Sequence, residues 1–100
     1  MNKNDIHSLI EGRKQELKQY GLRRIGIYGS YVRNEAIATS DIDLILDFDE
    51  TKKTYRNFIG STFLLEKLLG HTVDAVTPQG LSPYIKPYID HDATYVQIAD

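Results

Sequence analysis

Hydrophobic positions in the first fifth of the chain recur at helical spacing. Over residues 4–20 the apolar side chains that share one helix face are Ile6, Leu9, Ile10 and Leu17. Gly21 follows where a helix favours a left-handed residue, and Asn4 or Asp5 can accept hydrogen bonds as an N-cap. The pattern predicts one amphipathic helix over residues 4–20.

Two segments then follow the two-residue period of strands. Residues 22–28 (LRRIGIY) lead into the turn signal Gly29-Ser30, and we expect a brief helix within the polar residues 31–39. Residues 41–48 (DIDLILDF) alternate more strictly, because Ile42, Leu44, Leu46 and Phe48 share one face. The alternation gives the opposite face Asp41, Asp43, Ile45 and Asp47.

The second half of the chain continues the alternation of helix and strand. We predict a long helix over residues 52–69 ending at Gly70, and a strand at residues 71–76 (HTVDAV). A last helix should run from Ser82-Pro83 to residue 92, kinked or shortened by Pro87, before a final extended piece at 94–99. This order predicts a single α/β (α+β) domain over residues 1–100, with helices packed on a small mixed sheet.

Composition narrows the class of protein. Twelve Lys+Arg against fourteen Asp+Glu give a net charge of −2, which argues against direct nucleic-acid binding but not against a nucleotide ligand. The absence of cysteine excludes disulfides and zinc–thiolate sites. Since the chain shows no signal-peptide core and no apolar run long enough for a membrane, we expect a cytoplasmic protein.

Three aspartates are candidates for metal chemistry. Asp41 and Asp43 lie two residues apart on one strand, with their Cα atoms about 6–7 Å apart, so their carboxylates share a face and repel each other unless a cation lies between them. Such oxygen ligands suit Mg²⁺, and two ions can stabilise both oxygens of an in-line displacement at phosphorus. Asp74, alone in an apolar strand, can join the same site if the two strands are neighbours. It could then also take a proton from the acceptor hydroxyl.

The turn before these aspartates has the features of a phosphate site. Gly29 lets the backbone turn sharply and a phosphate approach closely, and Ser30 offers a hydroxyl and an amide. The amides of the short helix behind the turn favour an anion. Arg33 could place its fork of donors against a triphosphate.

At this point a resemblance becomes specific. Residues 29–36 (GSYVRNEA) and 40–45 (SDIDLI), with the later single aspartate at 74, resemble the signature of the minimal nucleotidyltransferases of the DNA polymerase beta superfamily. The resemblance implies a nucleotidyltransferase fold and two Mg²⁺ ions bound by Asp41, Asp43 and Asp74. It also implies nucleotide binding by Gly29, Ser30 and Arg33. Asn34 stands where the small prokaryotic branch often has Gly, a change that we expect a loop to tolerate.

The resemblance also implies a partner. Stand-alone proteins of this kind resemble the antitoxin half of prokaryotic toxin–antitoxin pairs, whose partner is a HEPN-domain ribonuclease. The resemblance implies transfer of AMP from ATP to a tyrosine of that toxin. It is also compatible with a complex in which this chain forms an oligomer with the partner. Two alternatives stay open: an antitoxin that neutralises by binding alone, and a nucleotidyltransferase for a small molecule such as an aminoglycoside.

Each candidate residue also has a purely structural interpretation. Asp41 and Asp43 could form a solvated strand entrance, Asp74 could pair with a lysine, and Arg33 could be an exposed helix arginine. Asp47, on the face of Asp43 but too far along the strand to share its ion, should be solvated together with Asp49 and Glu50. The face made by Tyr84, Ile85, Tyr88 and Ile89 could be an exposed docking patch or could pack on the sheet.

Overall fold

The computed structural model describes all 100 residues and consists of four helices and four strands. In chain order they are α1 (Lys3–Gly12), α2 (Lys14–Gln19), β1 (Leu22–Tyr28), β2 (Ile42–Phe48), α3 (Tyr55–Leu69), β3 (Val73–Val76), α4 (Lys86–Asp92) and β4 (Thr94–Gln97). Short 3-10 turns occupy Gly29–Tyr31, Glu50–Lys52 and Pro78–Gly80. None of the helices combines the length and the apolar character needed to cross a bilayer.

The strands form one mixed sheet in the order β3-β2-β1-β4. β1 runs antiparallel to both β2 and β4, whereas β2 and β3 are parallel and are connected through α3. The predicted fold class, a small mixed sheet with packed helices, is confirmed. One end of this sheet collects the C-terminus of β1 and the N-termini of β2, β3 and β4.

The core lies between the sheet and helices α1, α2 and α3. The alternation in β2 buries Ile42, Leu44, Leu46 and Phe48 as predicted, against side chains of these helices that include Ile6, Ile10, Leu17, Leu65 and Leu69. Full burial of each Leu or Ile side chain is worth about 1.5–3 kcal/mol. The helix-covered face therefore carries the main hydrophobic core, whereas the opposite face carries Asp43 and Asp47 together with the buried Ile45.

The prediction of one N-terminal helix is wrong, because two helices meet at Arg13. The Arg13 amide donates to the carbonyl oxygen of Ile10 instead of following the α-helical ladder, and its backbone leaves the helical region (φ −119°, ψ 23°). Gly12, a poor helix former, precedes this break. The N-cap is Asn2 and not Asn4 or Asp5, although Asp5 completes a reciprocal capping box with Asn2.

Several further boundaries differ from the prediction. The long helix begins at Tyr55 and not at residue 52, the strand predicted at residues 71–76 begins at Val73, and the final strand ends at Gln97 and not at residue 99. The helix expected within residues 31–39 is absent, and only the 3-10 turn Gly29–Tyr31 forms before the chain continues in turns and irregular structure. The last helix begins at Lys86 and not at Ser82-Pro83. Pro87 then stands in the first turn of α4, where its missing amide costs no intrahelical hydrogen bond. A proline predicted to shorten this helix therefore helps to start it.

Candidate active site

Strand pairing brings three polar side chains into one row across the sheet. Tyr28 at the end of β1 is the cross-strand partner of Asp43 in β2, and Asp43 is the partner of Asp74 in β3. Neighbouring strands lie about 4.7–4.9 Å apart, and the side chains of directly paired residues point to the same face. The two aspartates are therefore neighbours although 31 residues separate them, as the sequence analysis required.

The Gly29 turn lies directly against the first of these carboxylates. Gly29 has φ +76°, and a Cβ atom added to it would lie 2.2 Å from Asp43 Oδ2. Both the left-handed backbone and the missing side chain are thus needed for the turn to approach Asp43 so closely. The turn and the carboxylates occupy the same end of the sheet.

The electrostatics of this row favour a positively charged ligand. Partial burial raises the pKa of Asp43, and the negative charges of Asp74 and Asp41 raise it further, against the opposing effect of Arg33. Burial raises the pKa of Tyr28 to about 12, and the negative charges of Asp43 and Asp74 contribute to this rise. The Tyr28 hydroxyl therefore keeps its proton at neutral pH.

The three carboxylates, as the structure places them, match the ligand requirements of a hard divalent cation only in part. Asp43 and Asp74 are adjacent, but Asp41 lies just outside β2 with an exposed side chain, and no three acidic, His or Cys side chains form a ready metal-ligand cluster. Mg²⁺ needs only one or two carboxylates, since waters and substrate phosphates complete its coordination. Asp43 and Asp74 can provide that pair, and Asp41 borders it. None of the ion pairs in the structure involves Asp74, so the interpretation of a lysine-paired strand residue is not supported.

Arg33 belongs to the irregular segment after the turn and not to a helix. Its Nε atom lies 3.3 Å from Glu35 Oε2 and its guanidinium 3.8 Å from Asp92 Oδ2, and its charge still lowers the pKa of Asp43. The neighbouring Asn34 adopts φ +60°, a left-handed conformation that Asn accepts more readily than most residues. This explains how Asn replaces the Gly that is common at this position. The anion-binding amides expected behind Ser30 belong to a three-residue 3-10 turn, which is too short for a substantial dipole.

The structure adds residues that the sequence analysis did not assign to the site. A cleft of about 90 Å³, here called the α4 cleft, is lined by Tyr28, Gly29, Arg33, Tyr88, Ile89 and Asp92. The last three belong to α4, and the pairing of β4 with β1 brings them beside the turn. No motif marks them, because their position follows from long-range pairing. Of the four-residue apolar face around them, Tyr84, Ile85 and Tyr88 are exposed rather than packed on the sheet.

A glycine turn against paired strand aspartates in a mixed α+β sheet is the arrangement that the resemblance to nucleotidyltransferases implies. The sequence profile of the family described as nucleotidyltransferase domain matches residues 8–96. The chain belongs to this family, and the resemblance to minimal nucleotidyltransferases is confirmed. Its enzyme class is therefore nucleotidyltransferase.

Relatives agree over nearly the whole chain. The protein adenylyltransferase MntA of Thermococcus cleftensis is 39% identical over 93 residues, covering 92% of this chain and 93% of its own. A protein of Methanocaldococcus jannaschii that also carries a protein adenylyltransferase name is 39% identical over 95 residues, covering 93% and 96%. A solved structure described as a minimal nucleotidyltransferase superposes with a TM-score of 0.69 at 28% identity, over 94% of this chain and 95% of that one. A toxin–antitoxin crystal structure with AMP-PNP shares the fold (TM-score 0.66, 21% identity, 95% and 72% coverage).

Proposed function

We propose that this chain transfers AMP from ATP to a hydroxyl of a partner protein and acts as an antitoxin, the partner being a HEPN-domain ribonuclease toxin and the acceptor a tyrosine. The register that places Asp43 beside Asp74, against the Gly29 turn, carries the proposal because it joins a cation site to a phosphate site. Relatives named protein adenylyltransferase support the protein acceptor. The fold shared with a toxin–antitoxin structure is consistent with that role.

The residues of the site have separate tasks in this reaction. Asp43 and Asp74, with Asp41 at their edge, would hold two Mg²⁺ ions, which when bound neutralise charge on the phosphates and on the attacking and leaving oxygens. Ser30 and the backbone of the turn would hold the phosphates, and Arg33 would face the triphosphate. The acceptor oxygen forms a bond to the α-phosphorus while the bond from that phosphorus to the bridging oxygen of pyrophosphate breaks. Asp74, exposed at the sheet edge, is placed to accept the hydroxyl proton.

The test is transfer of label from α-³²P-ATP to the co-purified partner. Replacing Asp41 and Asp43 together by Asn should abolish labelling, with folding checked by circular dichroism. Asp47→Asn is the matched control, because it changes the same strand face away from the site. A double variant that still labels the partner overturns the proposal. If the double variant labels nothing yet fully protects cells from the toxin, the chain neutralises by binding. Antibiotic resistance from the chain expressed alone would indicate a small-molecule acceptor.

A further inference from the structure

The α4 cleft continues the candidate active site on the side away from Asp74. In the strand order β3-β2-β1-β4, Asp74 and Asp43 occupy the first two strands, Tyr28 the third, and α4 leads directly into the fourth. Tyr28 and Gly29 line the cleft and also border Asp43. The α4 cleft is therefore adjacent to the position that a phosphate would occupy at the carboxylates.

The three residues of α4 that line the α4 cleft differ in chemistry from one another. Tyr88 presents a ring that is 77% exposed, and Ile89 beside it is half-buried. Asp92 also lines the cleft and lies 3.8 Å from the Arg33 guanidinium. An exposed aromatic ring can stack against any nucleobase, whereas a carboxylate accepts hydrogen bonds from hydroxyls and repels phosphates. These walls suit a nucleoside better than the terminal phosphates of a nucleotide.

We propose that the α4 cleft binds the nucleoside part of the nucleotide, with the base against Tyr88 and a ribose hydroxyl donating to Asp92. The inference rests on the proposed function, because it takes the α-phosphate to react beside Asp43 and Asp74. Arg33 then marks the boundary between the nucleoside and the phosphates. A cleft of about 90 Å³ is well below the roughly 300–1,000 Å³ of pockets that enclose a ligand, so one face of the base stays in solvent.

The first experiment measures binding and needs no acceptor. Dissociation constants are measured by calorimetry for a non-hydrolysable ATP analogue and for tripolyphosphate, both with Mg²⁺, on wild type, Tyr88→Ala and Tyr84→Ala. Tyr84 is the matched control, since it is an exposed tyrosine four residues away that does not line the cleft. Because the exposed Tyr88 ring can stack on only one face of the base, its loss should weaken binding of the ATP analogue to the Tyr88→Ala variant roughly 5- to 30-fold. Binding of tripolyphosphate should not change, and Tyr84→Ala should match wild type for both ligands.

The second experiment tests Asp92 through the sugar. Asp92→Asn should reduce the preference for ATP over 2′- or 3′-deoxy-ATP about tenfold, because an amide accepts the ribose hydroxyl more weakly than a carboxylate. The ratio cancels any effect that passes through Arg33 to the phosphates. Glu35→Gln is the control, since Glu35 is the other acidic partner of Arg33 but lies outside the cleft. It should leave the ratio unchanged.

Three results would overturn the inference: unchanged ATP-analogue binding in Tyr88→Ala, an equal loss for tripolyphosphate, or an unchanged ribose preference in Asp92→Asn. If Tyr84→Ala and Tyr88→Ala both lower labelling of the partner while nucleotide binding stays intact, the α4 surface docks the acceptor protein instead. Failure of the proposed function looks different. In that case the variants follow the expected binding pattern, but wild type labels no partner.

Discussion

The two ends of β2 present the same residue type on the same face in opposite surroundings. Asp47 accepts a hydrogen bond from Arg24 Nε at 2.9 Å, and the Arg24 guanidinium in turn lies 4.1 Å from the centre of the Tyr95 ring. Asp43, four residues earlier, has no ion-pair partner and faces Asp74 instead. The expectation of a solvated Asp47 is therefore wrong, since its side chain is only 21% exposed.

The contrast separates a charge that the fold satisfies from one that it leaves for a ligand. Near Asp47 the neighbouring strand offers an arginine at the paired position. Near Asp43 the neighbours are a tyrosine and a second carboxylate. Partial burial, followed by the negative charges of Asp74 and Asp41, raises the pKa of Asp43, and this arrangement would be costly without a compensating cation. Unsatisfied like charges held together by strand register indicate a functional site more strongly than carboxylates counted along the sequence.

Among the tests of the comparison between Asp43 and Asp47, the largest expected effect is on catalysis. Asp43→Asn should lower the rate of nucleotidyl transfer at least about 100-fold, because loss of a metal ligand removes several kcal/mol of charge stabilisation. Asp47→Asn should stay within about twofold of wild type, since the change lies outside the site. Single-turnover rates at saturating Mg-ATP measure both. Equal losses in the two variants would mean that the ends of β2 do not differ in function.

The next largest effect is expected from alanine substitutions at two glycines, Gly29 and Gly70. Gly29→Ala places a methyl group in a left-handed backbone at 2.2 Å from Asp43 Oδ2, so both the melting temperature and the transfer rate should fall. Gly70→Ala at the end of α3 has a similar φ of +67° but open space around it. It should cost about 1–2 kcal/mol of stability with no loss of rate per folded molecule. Thermal unfolding and activity assays on both variants separate strain from the local role of the turn.

The smallest effects concern stability without metal. In a chelating buffer at pH 7, Asp43→Asn should raise the melting temperature, because it removes repulsion from Asp74 and Asp41. A raised folded-state pKa means that the wild type loses stability as pH rises through that pKa, so the gain should vanish in acid, where Asp43 is protonated. Asp47→Asn should instead lose about 0.2–1 kcal/mol with its Arg24 pair. Melting curves between pH 4 and pH 7 test whether the two substitutions differ in sign.

Hydrophobic periodicity predicted much of this fold, because the residues buried between the sheet and its helices follow that periodicity closely. β1 matches its predicted bounds, and the alternation of β2 assigns its buried face correctly. The adjacency of Asp43 and Asp74 depended on placing two strands side by side, which the motif resemblance suggested and periodicity alone did not. The break at Arg13 had a local signal in Gly12, which the helical periodicity of the apolar residues outweighed in the prediction. The cleft residues of α4 follow from long-range strand pairing, for which the sequence carries no short-range signal. The assigned roles of Gly29, Ser30, Arg33 and the three aspartates stay predictions until the variants are measured.

The placement of Asp74 on a four-residue edge strand has a consequence for hydrogen exchange. β3 pairs with the sheet on one side only, and its second residue is a carboxylate that faces another carboxylate. Short edge strands open at low free energy, so the amides that β3 contributes to the sheet should exchange with deuterium faster than those of the central strand β1. Any ligand that binds the carboxylates of both Asp43 and Asp74 stabilises the pairing of β3 with β2. Slower deuterium uptake at β3 would then report occupancy of the site independently of turnover.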